Sequence, residues 1–472
     1  MTTLRFHGSA AVLLLPLALF VAVTARLFIS EAAFDLTGLA AAGVLTLFSG
    51  SLLAKAPSEY WKAAVRGASS ELTGTVVLIL IASGIFSAMM KASGVADGLV
   101  FLGGMLHLTG HAFTVFVLLA SSLMAAATGS SIGTLLAAMP IFFPAGVALG
   151  ADPAMLAGAV LSGAIFGDNL APVSDVTVIS SVTQRFRDGT PADIAGVVRT
   201  RLPYAMTALA VSMPVYAFMG ASRPVSEAAL SGDASALLML VPVAVLIAVA
   251  VRTRDVLMAI SAGAVTGTAT GLLIGRLSFA TIFAADDGRL SGFLISGISN
   301  VSPIILLCVT LFAFTGIVRE AGVPDMMAKA LEAGSAGRPS ALRTELFLSA
   351  ATLVVTTLFA AVTSASVALV GSLTDDIGRA SNVHPYRRSH ILSGLANSLP
   401  VLMPFSAFVL ITMAAVSGLE GAAAVTPFTL MTAAFYPIAL FLVFGFMVLT
   451  GTGRMMETPA PEAAEAKTAT AL

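Results

Sequence analysis

The chain has 472 residues, of which 57% are hydrophobic and only 10% are charged, whereas about 25% of the residues in soluble globular domains are charged. This composition excludes an ordinary soluble domain and indicates a protein embedded in a lipid bilayer. The 24 basic and 25 acidic side chains nearly cancel, which excludes the basic footprint of a nucleic-acid-binding protein, and the single cysteine, Cys308, excludes a disulfide framework.

Eight stretches of the chain are candidate membrane spans, since a helix that crosses a bilayer needs about 20 apolar residues. They are residues 9–29, 35–54, 71–92, 202–220, 236–251, 256–275, 299–318 and 427–450. Two longer apolar regions, 111–185 and 343–417, contain Gly, Ser, Asn, Asp and Pro, so straight helices are not predicted there. The tail at 454–472 is rich in Ala, Glu, Pro and Thr and is predicted to be disordered and cytoplasmic.

Short motifs recur in the same order in the two halves of the chain. Lys91–Asp97 reads KASGVAD in the first half, and Arg319–Asp325 reads REAGVPD in the second. Leu161–Gly163 and Leu392–Gly394 both read LSG, and their separation along the chain is nearly the same as that of the first pair. Each match alone is weak, but a series of matches with a nearly constant offset predicts an internal repeat.

Basic residues are concentrated in a few loops, and such loops stay on the cytoplasmic side of a membrane. In the first half they are Lys55, Lys62, Arg66, Arg185, Arg187, Arg199 and Arg201. In the second half they fall in the segments 252–254, 319–343 and 379–388, the last of which contains Arg379, Arg387 and Arg388. Corresponding loops therefore lie on opposite sides of the membrane, which predicts an inverted-topology repeat of the kind common in secondary transporters.

These patterns predict an all-α integral membrane protein with about ten transmembrane helices, two hairpins and two broken helices, and with both termini in the cytoplasm. The first repeat is predicted at 1–225, with a hairpin at 111–149 and a broken helix at 154–185. The second repeat is predicted at 236–453, with a hairpin at 343–380 and a broken helix at 386–417. The hairpin tips are predicted at 128–131 and 363–366.

The segment 162–181, which reads SGAIFGDNLAPVSDVTVISS, carries two carboxylates in a stretch otherwise suited to hydrocarbon. A charge at the centre of a spanning helix costs about 2.5–3.5 kcal/mol, so Asp168 and Asp175 require partners or a function. Gly167 and Pro172 interrupt the helix, and unwound backbone at membrane depth is tolerated only inside protein or along a cavity. An ion or solute site is therefore predicted, with a loop at the membrane surface as the alternative. Further oxygens come from Asn169, Ser174 and Thr177.

Hydroxyl and amide side chains also occupy both hairpin tips and the second broken helix, which has two prolines but no carboxylate. Because they stand at matching positions of the two repeats, we expect them to contribute to the site. The alternative is that each side chain only bonds the backbone of its own helix. These residues are Ser130, Ser131, Thr134, Ser364, Ser366, Asn397 and Ser398.

Neither broken segment has a Lys, Arg or His in its predicted core, so no cationic partner lies near Asp168 and Asp175 in the sequence. Carboxylates in such a place should bind a cation or a proton. Asp375 and Asp376, beside Arg379, are expected to be a solvated pair. Four histidines are expected at the surface, with pH sensing as the alternative role, namely His107, His111, His384 and His390.

Two motifs carry a family resemblance. Gly129–Thr134 reads GSSIGT, and Ser162–Thr177 reads SGAIFGDNLAPVSDVT. They resemble the corresponding segments of the NhaC family of sodium/proton antiporters, within the ion-transporter superfamily. The resemblance implies an inverted-repeat fold with two hairpins and two broken helices. It also implies that the site is formed with the help of Asp168, Asp175, Ser174 and Thr177.

The sequence thus favours a secondary transporter in the plasma membrane that exchanges sodium for protons by alternating access, with Asp168 and Asp175 as sodium ligands. Sodium and protons are the transported ions, and no resident cofactor is expected. A sodium- or proton-coupled carrier of a small organic acid or amino acid is the alternative. An enzyme is disfavoured because no Ser/His or His/Asp pair lies at membrane depth. The expected partners are the lipid bilayer and a small ion or solute, without nucleic acid, and a homodimer stays open.

Overall fold

The computed structural model describes residues 4–8, 10–27, 36–221, 233–253, 255–286, 289–322 and 340–457. The helices of the first half are α1 (Leu14–Ala25), α2 (Leu36–Leu53), α3 (Pro57–Ala68), α4 (Glu71–Ser93), α5 (Val95–Met105), α6 (Gly110–Thr128), α7 (Ser131–Ala148), α8 (Pro153–Leu170), α9 (Asp175–Val182) and α10 (Ile194–Met219).

The helices of the second half are α11 (Val241–Thr253), α12 (Val256–Leu273), α13 (Phe279–Ile282), α14 (Phe293–Glu320), α15 (Ala341–Leu358), α16 (Thr363–Ala380), α17 (Pro385–Ala396), α18 (Ala407–Val416), α19 (Pro427–Ala433) and α20 (Phe435–Thr450). Short 3-10 turns occur at Ala10–Leu13, Ala234–Leu240, Leu399–Leu402 and Ala422–Ala424. Two short strands, β1 (Ala284–Asp286) and β2 (Arg289–Ser291), pair in antiparallel register.

Most of the predicted spans are single long helices. Within the described part of the chain, nine helices are long and apolar enough to cross a membrane, or up to eleven if each of two bent helix pairs is one span. The prediction of an all-α, multi-pass membrane protein with about ten spans is therefore confirmed. The prediction of a disordered tail is wrong for its first four residues, because Arg454 pairs with Glu345 at 2.9 Å and the Glu457 amide donates to the Asn382 carbonyl at 2.8 Å. Residues 458–472 lie outside the described residues.

The order and spacing of the helices repeat. Helix α6 begins at Gly110 and α15 at Ala341, while α8 begins at Pro153 and α17 at Pro385, so the two pairs of helix starts are separated by nearly the same length of chain. The proline after an N-cap residue starts both broken helices, since proline fits the first helical position, where no backbone donor is needed. A helical hairpin followed by a broken helix thus occurs in each half.

The two hairpin tips differ from each other. In the first hairpin, Gly129 ends α6 with a φ of +70°, and the Ser130 hydroxyl accepts a hydrogen bond from the Gly133 amide at 3.1 Å, so the tip lies where it was predicted. In the second, Ala360 and Ala361 form the turn with φ of +51° and +58°. The predicted tip at 363–366 is therefore wrong by a few residues, because its hydroxyl residues begin α16 instead of forming the turn.

The predicted span at 427–450 is not a straight helix. Helices α19 and α20 meet at an angle of 53°. Pro437 cannot donate a hydrogen bond to the Ala433 carbonyl four residues earlier, and its ring would crowd that group. The Tyr216 hydroxyl of α10 fills this gap: it donates to the Ala433 carbonyl at 2.8 Å and accepts from the Phe435 amide at 3.0 Å.

Two arginines that were expected in a cytoplasmic loop lie inside the protein. Arg387 and Arg388 are fully buried in α17. Arg387 pairs with the buried Glu345 of α15 at 2.9 Å, and Arg388 pairs with Asp375 of α16 at 2.7 Å. The expectation that Asp375 is solvated is wrong, because only 6% of it is exposed. The Asp376 side chain lies outside the described residues.

One histidine is also buried against expectation. His390 lies in α17 with no exposed surface, and its Nε2 atom is 3.0 Å from the Thr200 hydroxyl of α10. His384 is half-buried and caps α17 by accepting from the Tyr386 amide, whereas His107 and His111 are exposed as expected. The polar partner on α10 explains why His390 can be buried, and this partner is 190 residues away in the sequence.

Small residues set the distance between the first hairpin and its broken helix. A Cβ atom at Gly167 in α8 would stand 2.3 Å from the Ala126 amide nitrogen of α6. The backbones of α6 and α8 therefore touch just before the break in the broken helix, in the manner of close transmembrane helix contacts. This contact brings the first hairpin tip to the break.

Candidate functional site

A cavity of about 130 Å³ lies where both hairpins and both broken helices meet. The first hairpin tip, the start of α9, the second hairpin tip and the start of α18 all contribute to its wall, with side chains of α4 and α14 between them. Its lining residues are Val76, Gly129, Ser130, Ser131, Ile132, Asp168, Asp175, Val176, Cys308, Phe312, Ala361, Val362, Thr363, Ser364, Ala407, Phe408 and Ile411. The hairpin tips and helix breaks of both halves thus meet at this cavity.

Asp168 is the buried acid of this cavity, with 4% of its surface exposed. One carboxylate oxygen accepts a hydrogen bond from the Ser174 hydroxyl at 2.7 Å, across the break of its own helix. The other accepts from the Ser131 hydroxyl at 3.2 Å, from the first hairpin tip. Both carboxylate oxygens thus accept a hydrogen bond, which partly offsets the cost of burying this acid.

Asp175 has a different environment, because its side chain is exposed although it lines the same cavity. It is the first residue of α9, where a negative side chain also interacts favourably with the helix dipole. Asp175 thus has a structural role at the helix start besides any role in binding an ion.

Four helices begin at the cavity: α7, α9, α16 and α18. The ends of α7 and α18 are capped, since Ser130 accepts from the Gly133 amide and Ser406 accepts from the Val409 amide at 3.1 Å. The starts of α9 and α16 have no side-chain cap. Helix N-termini carry partial positive charge and favour negative groups, and Asp175 supplies one at the start of α9.

The charged side chains that line the cavity are all acidic. Of the described residues in its wall, Asp168 and Asp175 carry negative charge, and none is Lys, Arg or His. Carboxylate, hydroxyl and carbonyl oxygens are the ligands that hard cations prefer. The geometry therefore suits a small cation.

Comparison with known proteins agrees with this arrangement. The sequence model described as "Na+/H+ antiporter family" matches residues 3–221, which include the first hairpin and the first broken helix. Residues 3–221 are therefore similar to the Na+/H+ antiporter family.

Two curated relatives have antiporter names. The malate-2H(+)/Na(+)-lactate antiporter of Bacillus subtilis is 33% identical over 158 residues, which cover 34% of this chain and 32% of that protein. The Na(+)/H(+) antiporter NhaC of Alkalihalophilus pseudofirmus is 28% identical over 280 residues, which cover 54% of this chain and 58% of that protein. The chain thus matches less than two thirds of the length of either relative.

Among solved structures, the YdaH transporter of Alcanivorax borkumensis is similar to this chain, with 13% identity and a TM-score of 0.40 over 83% of this chain and 88% of that chain. MtrF of Neisseria gonorrhoeae has 12% identity and a TM-score of 0.39 over 92% of this chain and 95% of that chain.

The segment 3–221, which matches the antiporter model, supplies most of the predicted site residues that line the cavity. These are Ser130, Ser131, Asp168 and Asp175, and the second repeat adds Ser364. Ser174 does not line the cavity but bonds Asp168 directly. The assignment of these residues to ion binding stays a prediction.

Six other predicted residues stand outside the cavity wall. The hydroxyls of Ser366 and Ser398 only bond carbonyls of their own helices or turns, as the alternative reading expected. Thr134 is buried beside Thr128, with 3.5 Å between the two hydroxyl oxygens. Asn397 is buried, and neither polar atom of its side chain has a hydrogen-bond partner among the described residues.

The remaining two, Asn169 and Thr177, do not line the cavity. The Asn169 side chain bonds Tyr436 of α20 and Ser393 of α17, whereas its backbone carbonyl and the Thr177 hydroxyl contact Arg201 of α10. The Asn169 carbonyl oxygen accepts from Arg201 at 2.9 Å, and the Thr177 hydroxyl accepts from the same side chain at 3.3 Å. Arg201 was expected in a cytoplasmic loop, but it is fully buried within α10. Asp193 caps this helix and begins it well before the predicted span, a start signal that the sequence does contain.

Other cavity residues also escaped prediction. Thr363, Val362, Cys308 and Phe312 all line the cavity. Cys308 and Phe312 lie in α14, which reads as a plain apolar span, so nothing in its sequence distinguishes the side that faces the cavity.

Proposed function

We propose that this protein is a secondary transporter that exchanges sodium for protons across the membrane, with both ions binding at Asp168 and Asp175. The observation that carries this proposal is the charge of the cavity, whose described wall has two carboxylates and no basic side chain. An anionic solute would be repelled there, whereas a cation would be held.

Sodium and a proton are expected to compete for Asp168 because its carboxylate is buried. A buried carboxylate without a bound cation is costly, so Asp168 is expected either to hold sodium or to take up a proton. The two states carry the same charge at this group. Exchange of one for the other on opposite sides of the membrane is antiport.

The size of the cavity also favours an ion. Pockets for drug-sized ligands commonly have about 300–1,000 Å³, whereas this cavity has about 130 Å³. A cavity of this size is small for a drug-sized solute and has room for a small ion with water.

A neighbouring cavity supplies a path on one side. It has a volume of about 360 Å³ and shares Phe312 and Val362 with the central cavity. Arg66 and Glu320, which pair at 2.5 Å, line its outer part. A larger cavity of about 720 Å³ lies near Asn300, toward the other end of α14. We assign the Arg66 side to the cytoplasm, together with both termini, because basic residues are concentrated there.

A coupled carrier of a small organic acid is the second candidate. The start of α16 has no side-chain cap and lines the cavity. Thr363 at this start is only 6% exposed, and its hydroxyl has no hydrogen-bond partner among the described residues. An uncapped helix start with a free hydroxyl can hold a carboxylate, and one relative is named for malate and lactate.

Transport by purified protein in liposomes separates the two candidates. If an imposed sodium gradient moves protons when no organic solute is present, and Asp168→Asn abolishes this movement, the antiporter proposal stands. If proton or sodium flux appears only after malate, lactate or an amino acid is added, the second candidate replaces it.

A further inference from the structure

Three acids and three arginines are buried among the described residues, namely Asp168, Glu345, Asp375, Arg201, Arg387 and Arg388. Two ion pairs, Arg387 with Glu345 and Arg388 with Asp375, account for four of them. Asp168 and Arg201 are left, and neither has an ion pair in the described part of the chain. One buried negative charge and one buried positive charge are thus unpaired within the same bundle.

These two residues are linked through the backbone of the break. The Arg201 Nη1 atom donates to the carbonyl oxygen of Asn169, the residue after Asp168, at 2.9 Å, and to the Ser393 hydroxyl of α17 at 2.9 Å. Its Nη2 atom donates to the Ser180 hydroxyl of α9 at 3.3 Å. The Asn169 carbonyl belongs to the last turn of α8, where carbonyls lack helical partners and a positive charge is favoured.

We propose that Arg201 is a positioning residue and the fixed counter-charge of the cation site. Its positive charge balances the negative charge of Asp168 when no cation is bound, and its hydrogen bonds hold the break of the first broken helix against α17. This inference rests on the proposed function, because it assigns a cation to Asp168. It adds a residue of α10 that lies behind the wall of the cavity.

The placement of Arg201 explains how a counter-charge can coexist with a binding site. Arginine stays charged even when buried, and a buried charge without a balancing charge is costly. A direct ion pair would occupy the Asp168 oxygens and compete with sodium. Because Arg201 bonds backbone and hydroxyl oxygens instead, its charge acts on Asp168 through the low-dielectric interior, and the carboxylate stays open to the cavity.

A double-mutant cycle on stability tests the coupling. The melting temperatures of the wild type, Arg201→Gln, Asp168→Asn and the double variant are measured at alkaline pH without sodium. Each single change leaves one buried charge unbalanced, so we expect the double variant to lose several degrees less than the sum of the two single losses. Arg201→Lys, which keeps the charge, should lose less than Arg201→Gln. Additive losses, with Lys as damaging as Gln, would show a structural role only and overturn the proposal.

Sodium titration gives a second readout that a merely structural residue would not change. The sodium concentration for a half-maximal rise in melting temperature should fall by about tenfold in Arg201→Gln, because a positive charge near the ion is removed. It should stay near the wild-type value in Arg201→Lys and in Arg387→Gln, a buried arginine paired elsewhere. An unchanged value in Arg201→Gln contradicts the proposal. If sodium does not stabilise the wild type, the proposed function fails, while the cycle still decides the coupling.

Discussion

The Ser131 hydroxyl donates a hydrogen bond to the Asp168 carboxylate at 3.2 Å, which joins the tip of the first hairpin to the break of the first broken helix. The two residues are 37 positions apart in the chain. The bond places a helix start, a hydroxyl and a buried acid at one point of the cavity.

Asp168→Asn should abolish sodium-dependent proton movement, because the amide can neither carry the negative charge nor exchange a proton. The measurement is quenching of a pH-sensitive dye in liposomes under an imposed sodium gradient. Asp152→Asn is the matched control: Asp152 caps the other end of α8 by accepting from the Met155 amide, and asparagine also caps helices well. Equal loss in both variants would contradict a specific role for Asp168.

Asp175→Asn should have a milder effect. Its side chain is exposed and stands at a helix start, where asparagine is tolerated, so we expect a higher half-saturating sodium concentration with the maximal rate largely kept. The same liposome assay, run over a range of sodium concentrations, separates the two parameters. An unchanged half-saturating concentration would remove Asp175 from the site.

Ser131→Ala and Ser174→Ala should each weaken sodium binding. Both hydroxyls donate to Asp168, and a hydrogen bond to a charged group contributes about 1.5–3 kcal/mol, so a loss of about tenfold or more in affinity is expected. The rise of the melting temperature with sodium measures this affinity. Ser212→Ala is the control, because this buried hydroxyl only bonds the Ala208 carbonyl of its own helix. If all three variants bind sodium alike, the hydroxyls do not support Asp168.

Cys308 is the single cysteine of the chain and lines the cavity, so it reports on the site without engineering. Sodium should slow its reaction with a small, membrane-permeant thiol reagent, since an ion in the cavity excludes the reagent. Potassium at the same ionic strength is the control for salt effects, and Cys308→Ala defines the background. Equal labelling rates in sodium and potassium would argue against an ion in this cavity.

Gly129→Ala should destabilise the first hairpin tip. The residue has a φ of +70°, which costs about 1–2 kcal/mol for other residues, and an added Cβ atom would stand 2.5 Å from the Val173 side chain. Thermal unfolding in detergent measures the loss. Gly74→Ala in α4 is the control, because its Cβ atom would meet nothing within 4 Å and alanine favours helix. Similar melting temperatures for both variants would show that the tip tolerates a side chain.

Hydropathy and helix-breaking residues already predict much of the fold. The long apolar spans, the first hairpin tip and the break near Asp168 follow from the sequence, because span length, proline and intramembrane charge are local signals. The errors fell where a local signal was misread. Basic residues near Arg387 and Arg201 looked like loops, and the hydroxyl run at Thr363 looked like a turn, but it begins a helix.

Hydropathy and intramembrane polarity alone indicate a helical membrane protein with an acid in a broken helix. Which polar groups surround that acid depends on how the helices pack. Ser131 turns toward Asp168, whereas Asn169 turns away to Tyr436 and Ser393, which are 267 and 224 residues distant. Arg201 is buried because hydroxyls and carbonyls of other helices satisfy it. Whether a charged side chain can be buried depends on its hydrogen-bond and charge partners, and the partners of Arg201 lie on other helices.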